Sequence, residues 1–149
     1  MRGVRGQGEP RSIIDLKAIM HLGNAISAHD EWKARFRAAI SQRETIDAAT
    51  VSADDGCALG QWLHGEGKAL FGNLPSHTDC VATHRVFHEE AGKIAAAINA
   101  KDFDEAHGML EAHTPFSETS NQLATAILRL KQDALGSGGF TSLIAKLSE

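Results

Sequence analysis

The chain has 149 residues, enough for one domain with a real core. Its 15 basic and 19 acidic side chains leave a net charge of −4, which argues against the basic stripe of a nucleic-acid binder. No apolar run approaches the ~20 residues of a membrane helix, and the N-terminus has no signal-peptide core, so the chain is expected to be soluble and intracellular.

Residues 1–11 form a Gly-rich tail holding Arg2, Arg5 and Arg11, expected to be disordered. From there the pattern is helical. Tyr is absent, Ala is abundant, and no alternating strand stretch appears. Ser12 followed by Asp15 predicts a cap that opens a long helix to about Ala49. Its seam reads Ile19, Leu22, Ile26, His29, Phe36 and Ile40, with His29 inside it. Asp54-Asp55-Gly56 breaks the pattern. A short helix from Cys57 to about His64 follows, then a glycine-rich loop ending in Leu74-Pro75. Ser76 with Asp79 predicts the next helix start. That helix carries His77, Val81, His84, His88, Ala91, Ala95 and Ile98 on one face. Asp102 with Glu105 caps a fourth element, whose face reads Phe103, Ala106, Leu110, His113, Leu123, Ile127 and Leu130. Pro115 should kink or interrupt it. Residues 12–135 thus read as one helical bundle. Residues 136–149 read as a flexible Gly/Ser break and a short docking helix.

His84 and His88, four apart on a helix, project from one face roughly 6 Å apart along the axis. With His29 and Cys57 from other segments, they make up a possible tetrahedral zinc set. Spacing alone also fits hydrogen-bonded core histidines. Cys80, one turn before His84, could compete as a ligand. It lies about 12 Å along the helix from His88, however, so keeping it would sacrifice His88; a small buried thiol is the plainer reading. His21, His64, His77, His107 and His113 read as surface or hydrogen-bonded histidines.

Three segments carry a resemblance: His29-Asp30-Glu31-Trp32, then Cys57-Ala58-Leu59-Gly60-Gln61-Trp62-Leu63, then His84-Arg85-Val86-Phe87-His88. In this order they resemble the chemoreceptor zinc-binding domain family, with its His-x-x-Trp, Cys-x-Leu-Gly-x-Trp and His-x-x-x-His. The likeness covers about Ile19 to Leu130. It implies an all-α four-helix bundle with a short extra helix carrying the cysteine, usually a homodimer. It implies Zn²⁺ held by His29, Cys57, His84 and His88. It also implies a bacterial cytoplasmic setting and a signalling partner such as a chemoreceptor or a diguanylate cyclase. The expected function is sensory: zinc occupancy, or oxidation of the redox-sensitive Cys57, modulates a chemotaxis or cyclic-di-GMP type of output. No enzymatic role is expected. Trp32 and Trp62 are expected to pack beside the site and exclude water. Asp30 and Glu31 are expected to accept hydrogen bonds from a ligand imidazole.

Three rivals remain. A zinc-stabilised dimerisation or interaction module would use the same ligands. A haemerythrin-like di-iron bundle would need bridging carboxylates at helical spacing. A zinc hydrolase would need a glutamate after His84, where Arg85 stands.

Overall fold

The computed structural model describes residues 11–136, with side-chain detail from Leu16 onward except at Ala18 and Ile19. The expected tail (Arg11 apart) and the expected C-terminal helix lie outside these residues, and the Ser12–Asp15 cap falls where no side chains are described. The described residues are helical with no strand, in seven helices.

The first helix, α1 (Arg11–Gln42), buries Leu22, His29 and Phe36 of the expected seam, with Ile26 and Ile40 partly buried beside them and Ala25 and Ala39 buried in addition. It stops short of Ala49. Arg43 takes a left-handed φ of 56°, and the Glu44 amide turns back to the Ala39 carbonyl at 2.9 Å, which closes the last turn. The chain cannot resume the helix at once, because Ile46 is held elsewhere. Its N–H donates to Asn99 Oδ1 at 2.8 Å, and its carbonyl accepts from Asn99 Nδ2 at 2.6 Å. A separate short helix, α2 (Ala48–Ser52), then starts under an Asp47 cap that accepts from the Thr50 amide.

Cys57 caps α3 (Ala58–His64). The expected glycine-rich loop instead contains α4 (Glu66–Phe71), which buries Phe71 beside Trp62. Pro75 opens α5 (Pro75–Asn99), one residue before the expected start, since a proline suits the first turn. The fourth element is two helices. α6 (Phe103–Met109) ends before a turn in which His113 has a φ of 67°. Pro115 then begins α7 (Pro115–Ala134), capped by Thr114, whose hydroxyl accepts from the Ser117 amide.

Three long helices, α1, α5 and α7, frame the molecule. α5 packs against α7 and α2, and α1 packs against α7. Phe36, Phe87, Ile94, Ile98, Leu123, Ile127 and Leu130 fill the space between them. The site histidines sit on the inner faces of α1 and α5, so the same packing that removes these leucines and phenylalanines from water also desolvates the imidazoles.

Candidate metal centre

His29, Cys57, His84 and His88 converge from three places: the middle of α1, the start of α3, and one face of α5. Their ligating atoms all lie within 4.8 Å of one another. Cys57 Sγ is 3.8 Å from His29 Nε2, 3.2 Å from His84 Nε2 and 3.6 Å from His88 Nε2. His84 Nε2 is 3.2 Å from His29 Nε2 and 3.0 Å from His88 Nε2. A tetrahedral zinc with ordinary bond lengths puts its nitrogens about 3.3 Å apart and its sulfur about 3.6 Å from each nitrogen. The three sulfur–nitrogen separations bracket the sulfur value, and both nitrogen–nitrogen separations, 3.2 and 3.0 Å, fall slightly short of the nitrogen value.

Hydrogen bonding sets the direction of two rings. His29 Nδ1 lies 2.8 Å from the Ala25 carbonyl, and His88 Nδ1 lies 2.8 Å from the Val51 carbonyl. A carbonyl only accepts, so each Nδ1 carries the proton and each Nε2 turns a lone pair inward. Two such lone pairs, a third imidazole nitrogen and a sulfur then face one centre. A cation there satisfies all four donors at once, and the set fits Zn²⁺. Among the described residues no carboxylate joins this group, as a di-iron site would require.

Burial prepares the donors. His29, His84 and His88 are 6%, 1% and 2% exposed. Desolvation lowers the pKa of His29, and it lowers that of His84 to about 3, with help from His88 and His29. These two imidazoles therefore arrive neutral, the form a metal binds. Burial raises the Cys57 pKa despite the Gly60 amide, which donates to Sγ at 3.4 Å. The helix start alone does not make a thiolate here; a cation must supply the rest.

Gly60 and Gly92 permit this convergence. A Cβ at Gly60 would overlap the Asp54 carbonyl oxygen, so glycine lets the 54–57 turn fold onto α3 and aim Cys57 inward. A Cβ at Gly92 would overlap the Ser52 hydroxyl, so glycine lets α2 lie close on α5.

The expected acceptors Asp30 and Glu31 are exposed. Backbone carbonyls hold His29 and His88 instead, because the side chains of residues 30 and 31 leave the helix on its wet face. His84 Nδ1 is buried without a hydrogen-bond partner among the described residues. Trp62 stacks on His21 at 5.2 Å and tilts against Phe71. Trp32 stacks on Phe36, and rings continue from Phe36 through Phe116 and Phe87 to His29. Phe87 touches both His29 and His88 edge-on, at 5.1 and 5.5 Å between ring centres. Phe87 is not on the seam read from the sequence; its helical spacing, three residues after His84 and four before Ala91, is the signal that marks it as buried. Cys80 is fully buried and lies outside the donor group, and burial pushes its thiol up to about 12. His77 Nε2 is 2.8 Å from the Leu63 carbonyl, a hydrogen-bonded core histidine as expected.

The fold and this donor set define a helical zinc-binding protein. Residues 29–95 match the family model of the chemoreceptor zinc-binding domain. The match begins at His29 and runs past His88, so it spans all four donors. No curated protein and no solved structure matches the chain. Among the described residues, no helix is long and apolar enough to cross a membrane.

Proposed function

We propose that this chain is a cytoplasmic zinc-binding sensory domain in which His29, Cys57, His84 and His88 ligate one Zn²⁺. The observation that carries the reading is the convergence of four donors with two imidazole tautomers already set by carbonyls. Four protein donors fill a tetrahedral shell, leaving no position for a reacting water, so the site holds or senses rather than catalyses. The family match supports a signalling role. The reading extends to a bundle in which α3 is the extra short helix and two copies associate. The output would come from a partner such as a chemoreceptor or a diguanylate cyclase.

Zinc would tie α1, α3 and α5 together. The tether through Cys57 is the easiest to release, because α3 has only seven residues and its cap sulfur is half-buried. A two-electron oxidant such as hypochlorous acid or a peroxide would turn the thiolate into a sulfenic acid, a poorer zinc donor. Trp62 on α3 and Trp32 on α1 would shield the site, Trp32 through the ring series that ends on His29.

The test compares circular dichroism, tryptophan fluorescence and partner output with zinc, with a tight chelator, and in Cys57→Ser. A sensor changes conformation and output on zinc removal, and Cys57→Ser abolishes the oxidant response while the dimer persists. An unchanged conformation without zinc would sink the sensory reading. The second reading, a zinc-stabilised interaction module, is favoured by donors drawn from three packed elements of the core. It requires output to follow stability alone.

A further inference from the structure

The backbone oxygen that holds His88 belongs to an element no ligand motif includes. Val51, on α2, accepts from His88 Nδ1 at 2.8 Å and is itself 1% exposed. Its reach depends on how closely α2 lies on α5, and at the C-terminal end of α2 that approach is set by one close pair. An added Cβ at Gly92, one turn beyond His88, would overlap the Ser52 hydroxyl and come within 3.1 Å of Ser52 Cβ and 3.4 Å of its Cα. The hydroxyl cannot swing away freely, because it donates to the Ala48 carbonyl at 2.7 Å. The other end of α2 is anchored too. Ile46, just before the Asp47 cap, exchanges two hydrogen bonds with Asn99. α2 is thus strapped to α5 at both ends, and its carbonyl points at a donor ring in between.

We propose that α2 is the positioning element of the metal centre, with Gly92 and Asn99 setting zinc affinity through the Val51 carbonyl without touching the metal. The inference rests on the zinc reading above. When His88 ligates through Nε2, the Nδ1–H becomes more acidic and its bond to Val51 O strengthens, so the metal pulls α2 inward. Conversely, a displaced α2 leaves His88 free to rotate and weakens its donation. Among the described residues His84 Nδ1 has no such acceptor, which sets His88 apart from it. Among the described residues, only His29 and His88 of the three donor histidines have their rings fixed from behind, and only the His88 acceptor belongs to a separate short helix.

The test uses the full chain loaded with zinc, or with Co²⁺ as a spectroscopic probe, and a competing chelator. Gly92→Ala should lower zinc affinity about 10- to 100-fold, the usual effect of losing such an outer hydrogen bond. It should also weaken the Co²⁺ ligand-field bands while leaving the sulfur-to-cobalt charge-transfer band of Cys57. Adding Ser52→Gly should restore both, because it clears the hydroxyl and the Cβ that the new methyl meets; Ser52→Gly alone is the control. Asn99→Ala acts about 16 Å along α5 from His88. It removes an exposed side chain, so it remains informative if Gly92→Ala does not fold. It should lower affinity in the same direction, with the same loss of ligand-field intensity. Wild-type affinity in Gly92→Ala and Asn99→Ala overturns the proposal, as does a Gly92→Ala defect that Ser52→Gly fails to rescue. Failure of the wild-type chain itself to bind zinc or Co²⁺ would instead overturn the zinc reading, so the two failures are distinct.

Discussion

Replacing Cys57 by serine should change how zinc binding depends on pH, not only its strength. The thiol sits 3.2–3.8 Å from three imidazole nitrogens, and burial raises its pKa above 9.0 before any metal arrives. Zinc must therefore expel the thiol proton on binding. His29 and His84 are held below 6.5, so they enter without releasing protons. Between about pH 7.5 and 8.5 the wild-type chain should release about one proton per zinc, and its affinity should rise about tenfold per pH unit. A serine hydroxyl stays protonated there and ligates weakly, so Cys57→Ser should show a nearly flat pH dependence. A structural zinc site contributes on the order of 10 kcal/mol, so one of four donors represents about 2.5 kcal/mol, or roughly a hundredfold in affinity. Titration calorimetry in two buffers of different ionisation enthalpy, with a competing chelator, reads both quantities. Equal proton release from wild type and Cys57→Ser would refute the reasoning, because the proton would then come from another group.

In chelator at pH 8, iodoacetamide should modify Cys57 and spare Cys80, whose buried thiol is pushed up to about 12; zinc should protect Cys57, and equal labelling of the two would contradict this assignment. The metal-free chain should lose stability as pH falls. His29 and His84 titrate lower in the fold than the 6.5 of the unfolded chain, so below 6.5 the unfolded state binds more protons. Their contribution is complete above 6.5, shrinks through the interval below it, and is gone near pH 3 where His84 itself protonates. A urea midpoint that rises between pH 7.5 and pH 5.5 would contradict it. Arg43→Gly and Lys101→Gly should each stabilise the fold by about 0.5–1 kcal/mol, since both residues hold a left-handed φ, 56° and 68°, after a helix end. Thermal unfolding measures this, and a loss of stability would show that the side chains at those turns matter more than their backbone.

The three histidines were legible as buried because helical periodicity is a strong signal and they lie on it; the fourth donor, and the reading of the set as zinc ligands, came from the turn before Cys57 and the family resemblance. His29 shares the seam of Leu22 and Phe36, His84 and His88 share that of Ala91 and Ala95, and Cys57 follows a turn signal. The interruption after Gln42 was not legible, since the turn depends on Asn99, fifty-three residues away from Ile46. Helix α4 hid behind glycines that read as loop; Gly67 is needed there because Trp62 occupies the space a Cβ would take. In the sequence Pro115 reads as a kink or interruption of one helix, and the structure makes it the first residue of another. The groups that orient the imidazoles could not be read at all. Ala25 and Val51 contribute only backbone oxygens, which carry no sequence signature, whereas Asp30 and Glu31 advertised acceptors that face water.

X-ray absorption at the zinc edge, on protein purified with its metal, is the most direct test of the centre. One sulfur at about 2.3 Å and three nitrogens at about 2.0–2.1 Å are expected around a single zinc per chain, with the sulfur shell lost in Cys57→Ser. An all-oxygen or all-nitrogen shell in the wild type, or two sulfurs bringing in Cys80, would contradict the assignment.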